Sequence, residues 1–180
     1  MSGKQEITKV IERPLKSSIS GLVTIVGGTI CFFSISKEIG VSIGIVGFVL
    51  LAMSFRIYMK SKMKFAKFDD KERLYEMLES EKRISYEKMS VILLEEYIID
   101  YRAGLSIIKL SDIANLSSYK DVAKIATAIW IVLKLRNGKE HRLVAMGANA
   151  GRDYVVQFMH ELESKGIECE TPSINEQQKS

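Results

Sequence analysis

Between Ser17 and Phe55 the chain carries only two charged residues, Lys37 and Glu38, and they are adjacent. They divide the stretch into two uncharged runs, Ser17–Ser36 and Ile39–Phe55. As helix, at about 1.5 Å per residue, the runs reach about 30 Å and about 25 Å, enough to cross a bilayer's hydrocarbon core, the second with help from its flanks. The stretch predicts a transmembrane helical hairpin over 17–55. A cleaved signal peptide is the competing reading. Its apolar region spans about 7–15 residues, shorter than the first run here, and a second run follows at once.

The charges outside the hairpin are unevenly placed. Residues 1–16 carry +2, residues 56–67 carry +5 with no acid, and everything from Phe68 onward carries −3, within a total of +4. Positive charge therefore flanks the apolar runs and the distal part is mildly acidic. This distribution points to a bilayer with anionic headgroups as partner and not to nucleic acid, despite a pI near 9.0. Basic residues stand at both ends of the hairpin and the turn is neutral. The positive-inside rule then places both termini in the cytoplasm of an integral cell-membrane protein.

Both runs carry small residues at helical spacing. Ser20, Thr24 and Gly28 share a face of the first with Cys31, and Gly40, Gly44 and Gly47 share a face of the second. Small faces let helix backbones approach closely in lipid, where dispersion and weak interhelical bonds drive association. These faces pack within the hairpin or leave surface for self-association into a homo-oligomer. Neither run contains a charged residue or a histidine, so nothing marks an ion or substrate pathway.

Residues 56–83 read as a basic juxtamembrane segment and connecting helix. Arg56, Lys60, Lys62, Lys64 and Lys67 alternate with Met59, Met63, Phe65 and Phe68, a composition suited to a membrane surface. The same cations also serve as an ordinary stop-transfer flank. With no glycine or proline from Phe48 to Ala103, the second helix can run on past the membrane; Asp69 and Glu72, spaced as a capping box, favour a fresh start instead. Leu74, Met77 and Leu78 then mark a narrow apolar stripe ending near Arg83.

Beyond that the period changes to two. Met89–Leu94, Tyr97–Arg102, Leu105–Leu110 and Ile113–Tyr119 are β-rich runs separated by short turns. Thr127–Leu135 alternates cleanly, with Ile129, Ile131, Leu133 and Leu135 on one face and Trp130, Val132 and Lys134 on the other. Asn137–Gly138 is the strongest hairpin signal in the chain, and Glu140–Met146 returns. Val155, Phe158, Met159 and Leu162 then form a helical stripe stopped at Gly166. Residues 1–16 and 168–180 are left as polar ends.

Four strings in this region, Leu93–Ile99 (LLEEYII), Ile107–Ile113 (IIKLSDI), Trp130–Lys139 (WIVLKLRNGK) and the closing helix, resemble bacterial pleckstrin-homology-like domains carried behind one or two membrane spans. The resemblance covers about 84–167. It implies an α+β chain whose soluble part is a seven-stranded bent antiparallel sheet, or partly open barrel, capped by a C-terminal helix. Six strands are evident; Arg83–Lys88 or part of Lys120–Ala126 would supply the seventh. It also implies a non-enzymatic module that binds proteins, self-associates or touches membranes. Phosphoinositide binding does not carry over, because Glu95–Glu96 occupies the first β turn, where a basic cluster would be needed.

Chemistry-bearing residues are sparse. His141 and His160 have no paired metal spacing, Cys31 and Cys169 lie far apart, and no nucleophile elbow, phosphate loop or dinucleotide fingerprint occurs. Glu95, Glu96, Asp100 and Asp112 could supply paired carboxylates for acid–base work, but strand-turn solvation accounts more simply for Glu95–Glu96, and Asp112 reads as a turn cap. Gly147 and Gly151 read as a loop before the last helix. Trp130, the single tryptophan, is either a contact for a protein partner or packed against the terminal helix. The expectation is a membrane-anchored interaction module with no enzyme activity and no cofactor. The alternative is an accessory subunit of a transporter or secretion assembly, docked through the glycine faces.

Overall fold

The computed structural model describes residues 2–122, 127–146 and 150–169. The chain is α+β and divides into two compact units, 1–80 with 103–106, and 81–102 with 107–180.

The first unit is helical: α1 (Gly3–Ser34), α2 (Lys37–Ala66) and α3 (Lys71–Glu79). α1 and α2 are both long and apolar enough to cross a membrane, and only 11% of the apolar window in each is buried. Residues 3–16, expected as a polar lead, are the first turns of α1. The Ser2 N–H donates to Gln5 Oε1 at 3.4 Å and the Glu6 N–H to the Ser2 carbonyl at 3.1 Å, which starts the helix. The helix runs through Pro14, which removes one backbone donor. What holds this end is α3. The Gly3 N–H donates to Glu79 Oε1 at 2.7 Å, and the Gly3 α-carbon lies against the Tyr75 backbone, where any side chain would collide. Ile7 and Val10 of α1 and Leu74 and Leu78 of α3 are all buried.

The two readings of residues 56–83 each describe part of the result. α2 continues past the apolar run to Ala66, and a separate helix follows. Its N-cap is Asp70 and not Asp69, and it stops at Ser80, short of Arg83. Residues 103–106 also belong to this unit. The Ser61 hydroxyl, 2% exposed, donates to the Ile57 carbonyl and accepts the Leu105 N–H, both at 2.9 Å. Gly104 beside it has φ +104°, a conformation open to glycine, and its α-carbon faces Ser61 and Ile57.

The second unit contains two four-stranded sheets. One has the order β1 (Ile84–Tyr86), β2 (Val91–Leu93), β3 (Tyr97–Asp100), β4 (Ser106–Lys109). In the other, β7 (Glu140–Met146), β6 (Thr127–Leu135) and β5 (Ile113–Val122) form an antiparallel meander, and β8 (Glu168–Cys169) joins β5 in parallel. The extra strand within 83–88 is thus β1, and Lys120–Val122 extends β5; residues 123–126 lie outside the described residues. β8 falls in the segment expected as a polar tail. The sheets are not closed into a barrel: β1 and β4 stand at the edges of one sheet, and β7 and β8 at the edges of the other.

Helix α4 (Ala150–Ser164) follows β7 and covers the sheets. Its stripe of Val155, Phe158, Met159 and Leu162 is buried with Leu93, Ile98, Leu116, Ile131 and Leu143 in one core. The helix ends as its glycine predicts. Gly166 has φ +81°, its N–H donates to the Glu163 carbonyl, and the Ile167 N–H reaches the Leu162 carbonyl. That turn sends the chain back along β5.

Candidate functional site

The surface that most distinguishes this chain is the α1–α2 pair. Two glycines on each helix form its seam. A side chain at Gly28 would lie 2.7 Å from the Gly44 nitrogen and 2.9 Å from the Gly40 carbonyl oxygen, and one at Gly21 would lie 3.1 Å from the Gly47 oxygen. Gly40 packs as closely on the Phe32 backbone. Gly21 with Gly28, and Gly40 with Gly47, are each one heptad apart, and a heptad keeps a seam facing its partner along two supercoiled helices.

Of the small residues read from the sequence, Gly28, Gly40 and Gly47 are buried in this seam. Ser20 is exposed and Thr24 half-buried, and their hydroxyls donate to the carbonyls of Ser17 at 2.6 Å and Ser20 at 2.7 Å. Gly44 lends its backbone to Gly28, while its own missing side chain faces open space in a shallow groove lined by Thr29, Phe33 and Val41. Gly21 was missed by sequence reasoning, and the seven-residue interval to Gly28 is the signal that reveals it. At the other end of the pair, the Ser17 and Ser54 hydroxyls are 3.5 Å apart.

Outside the seam the apolar runs of α1 and α2 are largely exposed. Among the described residues, the large exposed apolar side chains run from Ile19 to Met63, with Val156 of α4 as the exception. Basic residues are interleaved with the last members of this belt, Met59 and Met63. Arg56, Lys60, Lys62, Lys64 and Lys67 are all exposed along the last turns of α2. Lys62 Nζ lies 5.9 Å from the centre of the Tyr58 ring, a cation–π contact one turn back toward the apolar run.

The second unit brings together groups that the sequence left separate. His141 on β7, opposite Leu133 on β6, places Nε2 2.9 Å from Asp100 Oδ2 on β3; the other oxygen of Asp100 accepts the Arg102 N–H at 3.0 Å. Asp100 is 9% exposed. The Arg102 guanidinium stands 5.7 Å from the Trp130 ring centre, so the half-buried tryptophan presents a cation–π pair. His160 is exposed and pairs with Glu163 one turn on, at 3.4 Å. Glu95 pairs with Lys82 at 3.6 Å on the surface. Asp112 ends a 3-10 turn, and its carbonyl accepts the Arg136 N–H at 2.8 Å. Residues 147–149, including Gly147, lie outside the described residues. No group of three or more His, Cys, Asp or Glu is placed to hold a metal among the described residues.

Two buried groups have raised pKa values. The Tyr86 hydroxyl is pushed up to about 12 by burial and then by Glu161, and among the described residues its oxygen has no hydrogen-bond partner, although the ring packs edge-on against Phe158 at 5.1 Å. The Cys169 thiol is raised to about 11, first by burial and then by Glu163, which suits a structural cysteine and not a nucleophile. No protein-family model matches the chain, and no curated protein matches it.

Proposed function

We propose that this chain is an integral membrane protein that holds a pleckstrin-homology-like β domain at the cytoplasmic face as a non-enzymatic interaction module. The observation that carries the reading is the concentration of large exposed apolar side chains, among the described residues, along α1 and α2. In water such a belt is unfavourable at roughly 25 cal/mol per Å2 of apolar surface; in lipid the cost vanishes. Basic residues at the terminal side of both helices support cytoplasmic termini. The order of elements in the second unit supports a pleckstrin-homology-like domain: one meander, a second meander, then a helix covering both. Function follows from position. An anchor raises the local concentration of the β domain at the membrane, and weak contacts through polar surface such as Arg102–Trp130 become useful.

Topology is tested in a background with Cys31 and Cys169 replaced by Ser. A cysteine at Lys37 is expected to react with a membrane-impermeant maleimide in intact cells, and one at Lys4 only after permeabilisation. The reverse pattern, or release of the chain by alkaline carbonate, overturns the reading. The open side of Gly44 favours a second reading, an accessory subunit docked in the bilayer. Partners that survive Trp130→Ala and Arg102→Ala but are lost with Gly44→Leu would select it.

A further inference from the structure

The cations beside the apolar belt do not stand at one height. Measured along α2, Arg56 lies about 2 Å beyond Phe55, Lys60 about 8 Å, Lys64 about 14 Å and Lys67 about 18 Å. A headgroup layer is about 5–8 Å thick on each side of the hydrocarbon core, and a surface potential decays over about 8 Å at physiological ionic strength. The first two cations fall within that layer and the last two beyond it.

Side-chain direction sharpens the division. Cα–Cβ bonds tilt toward a helix's N-terminus, which for α2 is the apolar end, so its cations lean back toward the belt. Lys62 shows this, with its ammonium group drawn down onto the Tyr58 ring. On α1 the tilt is opposite, and its N-terminal lysines lean away. Lys16 is the exception by position: the proximity of Ser17 and Ser54 sets it level with Phe55 and Arg56. It is exposed, as are Arg56, Lys60 and Lys62.

We propose that anionic phospholipid headgroups are held by a collar drawn from both helices, Lys16 of α1 with Arg56, Lys60 and Lys62 of α2, and that Lys64 and Lys67 take no part. The lipid phosphate accepts hydrogen bonds from the ammonium and guanidinium groups, with Tyr58 as the ring at the same depth. This rests on the reading that α1 and α2 cross a membrane.

The test uses the full chain in phosphatidylcholine vesicles containing a minority of phosphatidylglycerol. It measures association of spin-labelled phosphatidylglycerol relative to phosphatidylcholine at low and high salt. The wild-type chain is expected to prefer the anionic lipid at low salt. Combined Lys16→Gln, Arg56→Gln, Lys60→Gln and Lys62→Gln brings the ratio close to one, each single change lowering it by up to about fivefold. Lys64→Gln with Lys67→Gln leaves it within about twofold of wild type. Charge-preserving Lys16→Arg, Arg56→Lys, Lys60→Arg and Lys62→Arg keeps the preference. Equal losses in the two neutralised sets, or full preference in the fourfold Gln variant, overturn the collar. Alkaline carbonate separates the two failures. A wild-type chain stripped from the vesicles refutes the membrane-spanning reading itself, whereas a retained chain with no Lys16 or Lys60 dependence refutes the collar alone.

Discussion

Replacing Ile7 by alanine tests whether the N-terminal turns of α1 and the short helix α3 share a core. Ile7 is 1% exposed, and Leu74 and Leu78 are 0% and 1% exposed. Truncation removes three carbons from a closed site, a change that costs about 2–5 kcal/mol in well-packed cores. α3 has nine residues, too few for a helix to persist in water without packing. The loss should therefore appear as local opening of α3 and leave the β unit intact. At 1.4 kcal/mol per factor of ten, even about 2–4 kcal/mol lowers amide protection by roughly 30- to 700-fold. The amides to watch are Leu74 and Ser80, whose N–H groups donate to the carbonyls of Asp70 and Glu76. Hydrogen exchange with mass spectrometry on the full chain in nanodiscs reads them directly. Thr8→Ala is the control, because Thr8 is exposed and its hydroxyl donates to the Lys4 carbonyl one turn back. If Leu74→Ala releases 70–80 and Ile7→Ala leaves its protection unchanged, the shared core is refuted.

The remaining predictions concern the seam, the tyrosine and the thiol. Cysteines at Ser17 and Ser54, in a background with Cys31 and Cys169 replaced by Ser, should form a disulfide readily, since the native hydroxyls are 3.5 Å apart. Gly28→Ile should abolish that crosslink by forcing the helices apart, whereas Gly27→Ala, whose side chain would meet nothing within 4 Å, should not. Tyr86→Phe should raise stability to urea by about 1 kcal/mol, since it removes a buried hydroxyl without a partner among the described residues. The sign of its pH dependence follows from the raised pKa. The folded state disfavours the phenolate, so the wild type loses stability as pH rises from the ordinary 10.0 toward about 12, and Tyr86→Phe lacks that part of the alkaline loss. With Cys31 replaced by Ser, Cys169 should react with iodoacetamide at pH 8 roughly a hundredfold more slowly than a free thiol, because about one thiol in a thousand is ionised at a pKa of about 11. Alkylation at the free-thiol rate would show that β8 is not docked.

What was legible in the sequence was whatever is decided locally. β6 and β7 have the bounds read from their alternation, because Asn137–Gly138 fixes the turn and hence the register on both sides. The stripe of α4 and its glycine stop were visible for the same reason. Three features were not, and each depends on a distant partner. Residues 3–16 look like a polar lead because a proline and six charges mask Ile7 and Val10, whose burial depends on α3. Of the four seam glycines Gly21 alone went unread, since it gains meaning from Gly47 once both helices are laid antiparallel. The Asp100–His141 pair joins strands 41 residues apart, a separation that no short pattern encodes. Closure of the sheets belongs with these. It depends on whether the edge strands β1, β4, β7 and β8 find further partners, and apolar runs do not show which strands pair.

The hydroxyl of Ser61 restricts how this protein can change over evolution. It is buried and serves two backbone groups at once. Alanine there strands the Leu105 N–H, and a larger residue meets the α-carbon of Gly104; any side chain at Gly104 would in turn lie 2.7 Å from the hydroxyl, besides losing the positive φ. Each position constrains the other. Divergent descendants of this chain should therefore keep a serine at 61 with a glycine at 104, or replace both together, even where the surrounding apolar residues of α2 drift freely.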